Sequence, residues 1–441
     1  MTLAPALEAP WGTSLWLARN PAPPASPPLR GTLDTDVAIV GAGMAGVSLA
    51  FHLGAAGGEA VVLEAARQPF AATAASAGVV APQLVRNTPA TVIERLGIEA
   101  GSRFLRLLAS AGRRLFDLVG GEAIACDAQP HGFLNPVPGQ DATERLRRLI
   151  EGWAPFRNDL VLADAAQTRV LTGAEGYGAC LVDPTGGGID PVAFVRGLAA
   201  RLPPGRVRLF RDSPVMSVAR HGARWVVKTG EGTLTARRVV LCANGGNARL
   251  HRSLASTVLP LTVYQVATAS LPEAMRREIL PGGQALTDAS ADVFSIRFDG
   301  EGRLITACAA VRPMARDDLN RAINDRLAAA LPAYRRAPLA FGWKGVAWIN
   351  PTLLPRLALI EEGLIAVQAC NGRGLALNTA IGADLARWLL NPGCAPAVPL
   401  GPPQPIPGHV FARVMPGLMM ASGAFSRKIA RLGGQLRGAP R

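Results

Sequence analysis

A chain of 441 residues that is 49% hydrophobic and 18% charged is too apolar to be disordered, and its 48 glycines argue against a coiled coil. At about 150 residues per domain, the length fits two or three domains or one large two-layer assembly. Lys+Arg (46) exceeds Asp+Glu (32), giving a formal net charge of +14, yet only Lys228, Lys344 and Lys428 are lysines. The arginines are scattered among alanine, glycine and proline, as GC-rich codon usage produces. No aromatic-interleaved basic patch marks a nucleic-acid face, and no nucleic-acid partner is expected.

The first residues lack a basic n-region and are broken by prolines, so no secretory signal is expected and a cytoplasmic location is. Asn20 to Pro28 reads as an extended lead-in. Asp36–Val40 (DVAIV) has strand composition. Gly41, Gly43 and Gly46 follow it and open a helical pattern, and Ala60–Leu63 is a second strand ending at Glu64. Helical spacing then runs from about Thr91 to Leu118. Asp190 and Pro191 read as the N-cap and first residue of a helix. Short strands are expected over Arg206–Phe210, Val218–Lys228 (turning at His221-Gly222) and Arg238–Cys242. Pro260 to Ala310 is strand-like, with a turn at residues 299–302, and a helical stretch follows. A last strand over Gly363–Cys370 meets Asn371-Gly372-Arg373-Gly374 and a helix from about Leu375 to Leu390.

The six cysteines show no CxxC spacing and the five histidines are dispersed, so no metal site is expected. No run of eighteen apolar residues predicts a spanning helix.

Gly41-Ala-Gly43-Met44-Ala45-Gly46 follows a strand and opens a helix, and Glu64 lies 18 residues beyond Gly46. In a dinucleotide site the first glycine allows a tight turn and the second lets the backbone approach the pyrophosphate. The third lets helix and strand pack, and the acid holds a ribose diol. The second glycine-rich junction, at Gly372–Gly374, favours FAD over NAD, because helix N–H groups there can face the pyrimidine edge of a flavin.

These segments resemble the FAD-dependent amine and amino-acid oxidoreductases of the D-amino-acid oxidase superfamily, notably glycine oxidase, sarcosine oxidase and gamma-glutamylputrescine oxidase. The carrying segments are DVAIVGAGMAGVSLAFHLGAAGGEAVVLE, Thr73–Pro82 (TAASAGVVAP), Gly188–Leu198, Val239–Gly245 (VVLCANG) and VQACNGRGLALNTAIGADLARWL. The resemblance implies an α/β fold, with a Rossmann-like FAD-binding domain interleaved with a mixed-sheet α+β substrate domain. The FAD-binding segments are expected at 36–90, 184–250 and 358–394. The substrate segments are expected at 91–183 and 251–357, after a lead-in over 1–35 and before a basic tail over 395–441.

The resemblance also implies oxidation of an amine or amino acid to an imine by hydride transfer to flavin N5, hydrolysis of the imine, and reoxidation by dioxygen or an electron carrier. Alternatives are a 2-hydroxy-acid dehydrogenase and a flavin-binding accessory or tRNA-modifying protein. Besides the glycine-turn residues and Glu64, the expected cofactor contacts are Ala65, Thr73, Ser76, Ala77, Gly78, Val79, Val215, Ala243, Asn244, Gly245, Gly372, Arg373, Gly374 and Leu375. The expected substrate-side residues are Tyr264, Arg297, Trp343, Lys344 and Arg373. Relatives that bind a carboxylate place an arginine where Ala347 stands here, which favours an amine or a substrate gripped elsewhere. Noncovalent FAD is expected: histidine is missing from Ala71–Pro82, and Cys308 and Cys370 are weak attachment sites. The tail is read as packed on the body, with anionic membrane contact as its alternative role.

Overall fold

The computed structural model describes residues 13–23, 27–67, 72–290, 293–309, 314–368 and 370–419. Two large sheets organise them. The first grows from the strand Gly31–Val40, which pairs in parallel with Ala60–Leu63 on one side and Gly232–Leu241 on the other. Val207–Phe210 extends it beyond Ala60–Leu63, and Leu364–Gln368 extends it beyond Gly232–Leu241, both in parallel. Val37–Val40, Ala60–Leu63, Val239–Leu241 and Leu364–Val367 are apolar runs within these strands, as helix cover over a parallel sheet requires. The helices Met44–Ala55 and Gly374–Leu390 cross on it so closely that a Cβ at Gly382 would sit 2.6 Å from the backbone nitrogen of Leu49. Ser48 Oγ donates to the carbonyl of Thr379 at 2.7 Å across the same crossing.

The second sheet runs in the order Leu339–Ile349, Leu259–Ser270, Arg303–Ala309, Ser295–Phe298, Ala285–Thr287, Phe133–Pro138, Tyr177–Asp183, Val161–Asp164. Only the pairing of Ala285–Thr287 with Phe133–Pro138 is parallel. The three strands between residues 133 and 183 escape a reading by apolar runs, since Phe133–Pro138 contains two prolines and Val161–Asp164 has only four residues. One face packs Leu134, Tyr264, Val266, Ile296 and Leu304 against Leu319, Ile323 and Leu327 of the helix Arg316–Ala330.

The opposite face looks toward the segment Thr73–Ala81. A Cβ at Gly345 would meet Ala75 Cβ at 2.4 Å, and Phe133 clusters with Val79, Ala81 and Ala285. Thus one sheet holds the glycine turn and the other closes over the segment that leads from it. Gly31–Val40 and Gly232–Leu241 are each longer than the apolar runs that mark them, because their first halves pair along polar residues.

Candidate functional site

The cofactor end is built from backbone. Gly41 has φ +104°, and a Cβ there would meet the carbonyl oxygen of Cys242 at 3.0 Å. A Cβ at Gly46 would lie 1.9 Å from the carbonyl oxygen of Gly41, so helix and turn can approach only through glycine. Gly43 differs: a Cβ there meets nothing nearer than Thr73 Oγ1 at 3.6 Å. The protein itself leaves that space, and a phosphate requires it. Gly43 is also the N-cap of Met44–Ala55, and no side chain caps that helix, so its first N–H groups remain for an anion.

Glu64 Oε2 accepts from Ala42 N at 2.7 Å, and Oε1 accepts from Ala66 N at 3.1 Å. Burial raises this carboxyl above its ordinary range, opposed by those N–H bonds, by that of Ala65 and by Arg211. Ala42, Glu64, Val195, Arg196, Leu209 and Arg211 line a small notch at this end. Ser213 N donates to the carbonyl of Glu64 at 2.8 Å, which brings Val215 to the same side, with its side chain packed in the sheet's other core.

The end expected to take the flavin ring is framed by two turns. Ser76 Oγ accepts from Gly78 N at 3.0 Å, and Gly78 (φ +74°) lies so near the Ile189 carbonyl that a Cβ would be 2.3 Å away. Val79 pairs with Gly188. Past the strand Gly232–Leu241, Ala243 N donates to Asn247 Oδ1 at 2.9 Å, and Asn247 Nδ2 donates to the carbonyl of Val367 at 3.0 Å. Asn247, fully buried, fixes the Ala243–Gly245 turn and was not singled out in the sequence. A Cβ at Gly245 would lie 2.0 Å from Trp348 Cε2, so that ring by itself requires glycine there. Gly372 (φ +79°) has no heavy atom within 4 Å of an added Cβ, so this turn too is open. Leu375 enters the core of the first sheet.

Three of the expected substrate residues are placed otherwise. Arg297 is 1% exposed. Its Nε donates to the Ala77 carbonyl at 3.0 Å, Nη2 to Ile189 at 2.9 Å and Nη1 to Phe298 at 3.2 Å. Burial lowers its pKa to about 10, against the pull of Asp127, Asp299 and Asp190. Its donors are spent on backbone carbonyls, so it ties the second sheet to the flavin segment and offers no face to a substrate. Tyr264 packs against the helix Arg316–Ala330, on the face away from Thr73–Ala81. Lys344 lies directly opposite Tyr264 in register and shares that face.

Trp343 lies on the flavin-segment face, clustered with Ala74 and edge-on to Trp16 with ring centroids 6.1 Å apart. On that face Trp343, Gln265 and Ala307 pair in register, Ser295 pairs with Thr287, and Ser295 and Asn135 each stand one residue past the last pairing of their strands with Arg303–Ala309 and Ala285–Thr287. Ser295 and Thr287 hydroxyls meet at 3.0 Å, and Asn135 Nδ2 donates to the Thr287 carbonyl at 2.6 Å. Gln265 Oε1 and Trp343 Nε1 are buried without a hydrogen-bond partner. Gln265 was missed by one residue, and in a strand one residue is the difference between two faces.

Arg373 closes the other side. It is the N-cap of Gly374–Leu390, and its guanidinium lies 5.3 Å from the centre of the Phe133 ring. Nη1 is buried and has no hydrogen-bond partner. Burial alone brings its pKa down to about 10, and no carboxylate among the described residues offsets that.

Parallel sheet, open glycine turn and acid define a dinucleotide-binding fold with a second sheet closed over the segment Thr73–Ala81. Residues 36–388 match the family model described as FAD dependent oxidoreductase, and the chain belongs to that family. It is 26% identical over 367 residues to gamma-glutamylputrescine oxidoreductase of Escherichia coli strain K12, covering 82% of this chain and 85% of that one. Its fold is similar to glycine oxidase from Geobacillus kaustophilus (TM-score 0.64, 19% identity, 80% of this chain and 95% of that one). It is also similar to L-proline dehydrogenase from P.horikoshii (TM-score 0.68, 16% identity, 84% and 95%).

Proposed function

We propose that this FAD-dependent oxidoreductase oxidises an amine or amino acid, and that its substrate carries an anionic group received by Arg373. The observation that carries the reading is the pairing of an uncharged floor with one unpaired cation. The row from Asn135 to Trp343 holds amide, hydroxyl, methyl and indole groups and no carboxylate. An ammonium desolvated there would find no counter-ion, and Arg373 would repel it. The site therefore favours the neutral amine, whose lone pair is needed for oxidation. Gln265 Oε1 is free to accept one of its N–H bonds, and the Arg373 fork can pair with a carboxylate.

The glycine turn and the N-terminus of Met44–Ala55 would hold the FAD pyrophosphate, Glu64 the ribose, Ser76–Val79 the ring, and Gly372–Gly374 its pyrimidine edge. When bound, FAD supplies the hydride acceptor at N5. The chain's own residues orient the substrate and exclude water. Noncovalent attachment is favoured, because Cys308 stands opposite Tyr264 on the far face and burial raises the Cys370 thiol, keeping it protonated. Acid precipitation would then release all the flavin into solution.

The test is anaerobic bleaching of the purified yellow protein by matched pairs, 4-aminobutanoate with butylamine and glycine with methylamine, with 2-hydroxy acids alongside. Bleaching is expected to be faster for the carboxylated member of each pair. Bleaching by 2-hydroxy acids alone would overturn the amine reading. Reoxidation by air would mark an oxidase, and reoxidation only by an added carrier would mark a dehydrogenase.

A further inference from the structure

We propose that the C-terminal segment between Val410 and Leu418 is a docking face for an anionic lipid surface. Twelve large hydrophobic side chains among the described residues are exposed, and six of them fall between residues 410 and 419. Val410 and Phe411 are 77% and 83% exposed, and Val414, Met415 and Leu418 about half. The remaining six are scattered singly, as on any surface, whereas a contiguous patch marks a contact site. The patch lies beyond residue 388, where the family match ends, so the shared fold does not account for it.

Its charge selects the partner. From Asn391 to Arg441 the chain has six basic residues, Arg413, Arg427, Lys428, Arg431, Arg437 and Arg441, and no acidic one. Exposed Phe, Met and Leu beside a purely cationic stretch match the two demands of an anionic bilayer, apolar insertion and headgroup attraction. A second copy of the chain carries the same cationic excess, which disfavours self-association. Among the described residues no helix is long and apolar enough to cross a membrane, and the contact proposed is a peripheral one.

The face is held firmly to the body. Ile406 N donates to the Ser256 carbonyl at 2.8 Å, and His409 Nε2 meets the Val258 carbonyl at 2.9 Å. Between those two residues, Thr257 Oγ1 accepts from Gln368 Nε2 at 2.8 Å. Gln368 ends the strand that leads into the Asn371–Arg373 turn. Two hydrogen bonds in series, through Ser256–Val258, therefore join the segment that carries the docking face to the strand Leu364–Gln368.

The test is co-sedimentation of the FAD-loaded full-length protein with vesicles of phosphatidylglycerol and phosphatidylcholine, against vesicles of phosphatidylcholine alone. We expect pelleting with the anionic vesicles that weakens in high salt. The double variant Phe411→Ser, Leu418→Ser should lower the bound fraction about tenfold, with flavin absorbance and far-UV circular dichroism unchanged. Three results would overturn the proposal: no pelleting with anionic vesicles, pelleting that ignores the double variant, or a solution dimer that the variant dissociates without any vesicle binding. The last would assign the face to a second copy of the chain.

Discussion

The two sheets make their sites by different means. At the glycine turn the chemistry belongs to the backbone: Gly41, Gly46 and Gly78 are fixed by collisions with nearby carbonyls, and Gly43 by the room it leaves. On the second sheet the proposed substrate floor is a row of side chains brought together from strands that span residues 135 to 343. A backbone site must be contiguous, so it survives as a short motif. A side-chain row depends on register, and a slip of one residue exchanges the two faces.

The largest expected effect tests the first half of that contrast. Gly46→Val places atoms inside the Gly41 carbonyl and should cost about 3 kcal/mol or more, with loss of bound flavin in the purified protein. Gly43→Ala should leave stability within about 0.5 kcal/mol in urea unfolding of the FAD-free protein. It should still weaken FAD binding at least about tenfold in a fluorescence titration. Equal effects of the two substitutions on stability would erase the distinction between a glycine the protein needs and one the cofactor needs.

Arg297→Met comes next. It strips donors from the buried carbonyls of Ala77, Ile189 and Phe298, while removing a desolvated charge offsets part of the loss. A net loss of about 3 kcal/mol is expected by denaturant unfolding, because each orphaned carbonyl costs on the order of 1 kcal/mol or more. Arg373→Met should do the reverse. Its guanidinium has no protein hydrogen bond to lose, so the melting temperature should hold. For a carboxylated amine kcat/KM should fall by roughly 10- to 100-fold, and for its uncharged partner by far less. Equal losses for both members of a pair would place Arg373 at the flavin and not at the substrate.

Two arginines that look alike in the sequence thus separate only in three dimensions. Arg297 sits in a strand and Arg373 in a glycine turn, and neither sequence context says whether carbonyls will consume the donors. The Rossmann half was legible because strand, glycine turn, helix, strand and acid are adjacent in the chain. The Asp190 N-cap was legible for the same reason, since its carboxylate accepts from Val192 and Ala193, two and three residues on. The strands Phe133–Pro138 and Val161–Asp164 were hidden by proline and brevity. Asn247 was hidden because its partner, the Val367 carbonyl, comes from a strand 120 residues away. Trp16 was hidden by its place before the first strand, although its Nε1 donates to the Ser76 carbonyl at 2.7 Å and so helps hold the flavin segment.

The smallest expected effect is the sharpest test of register. Tyr264 and Gln265 are neighbours in one strand, but their side chains lie on opposite faces of the sheet. Tyr264→Phe keeps the ring that packs on the helix Arg316–Ala330. It should leave kcat/KM unchanged within twofold and stability within about 0.5 kcal/mol. Gln265→Leu has nearly the same volume and removes an acceptor that no protein group uses, so stability should hold or rise slightly. If the amide oxygen receives the substrate amine, kcat/KM should drop about tenfold, near 1.4 kcal/mol, in anaerobic reduction measurements. Loss of activity in Tyr264→Phe with none in Gln265→Leu would mean that the strand presents its other face to the substrate, and the whole row would move with it.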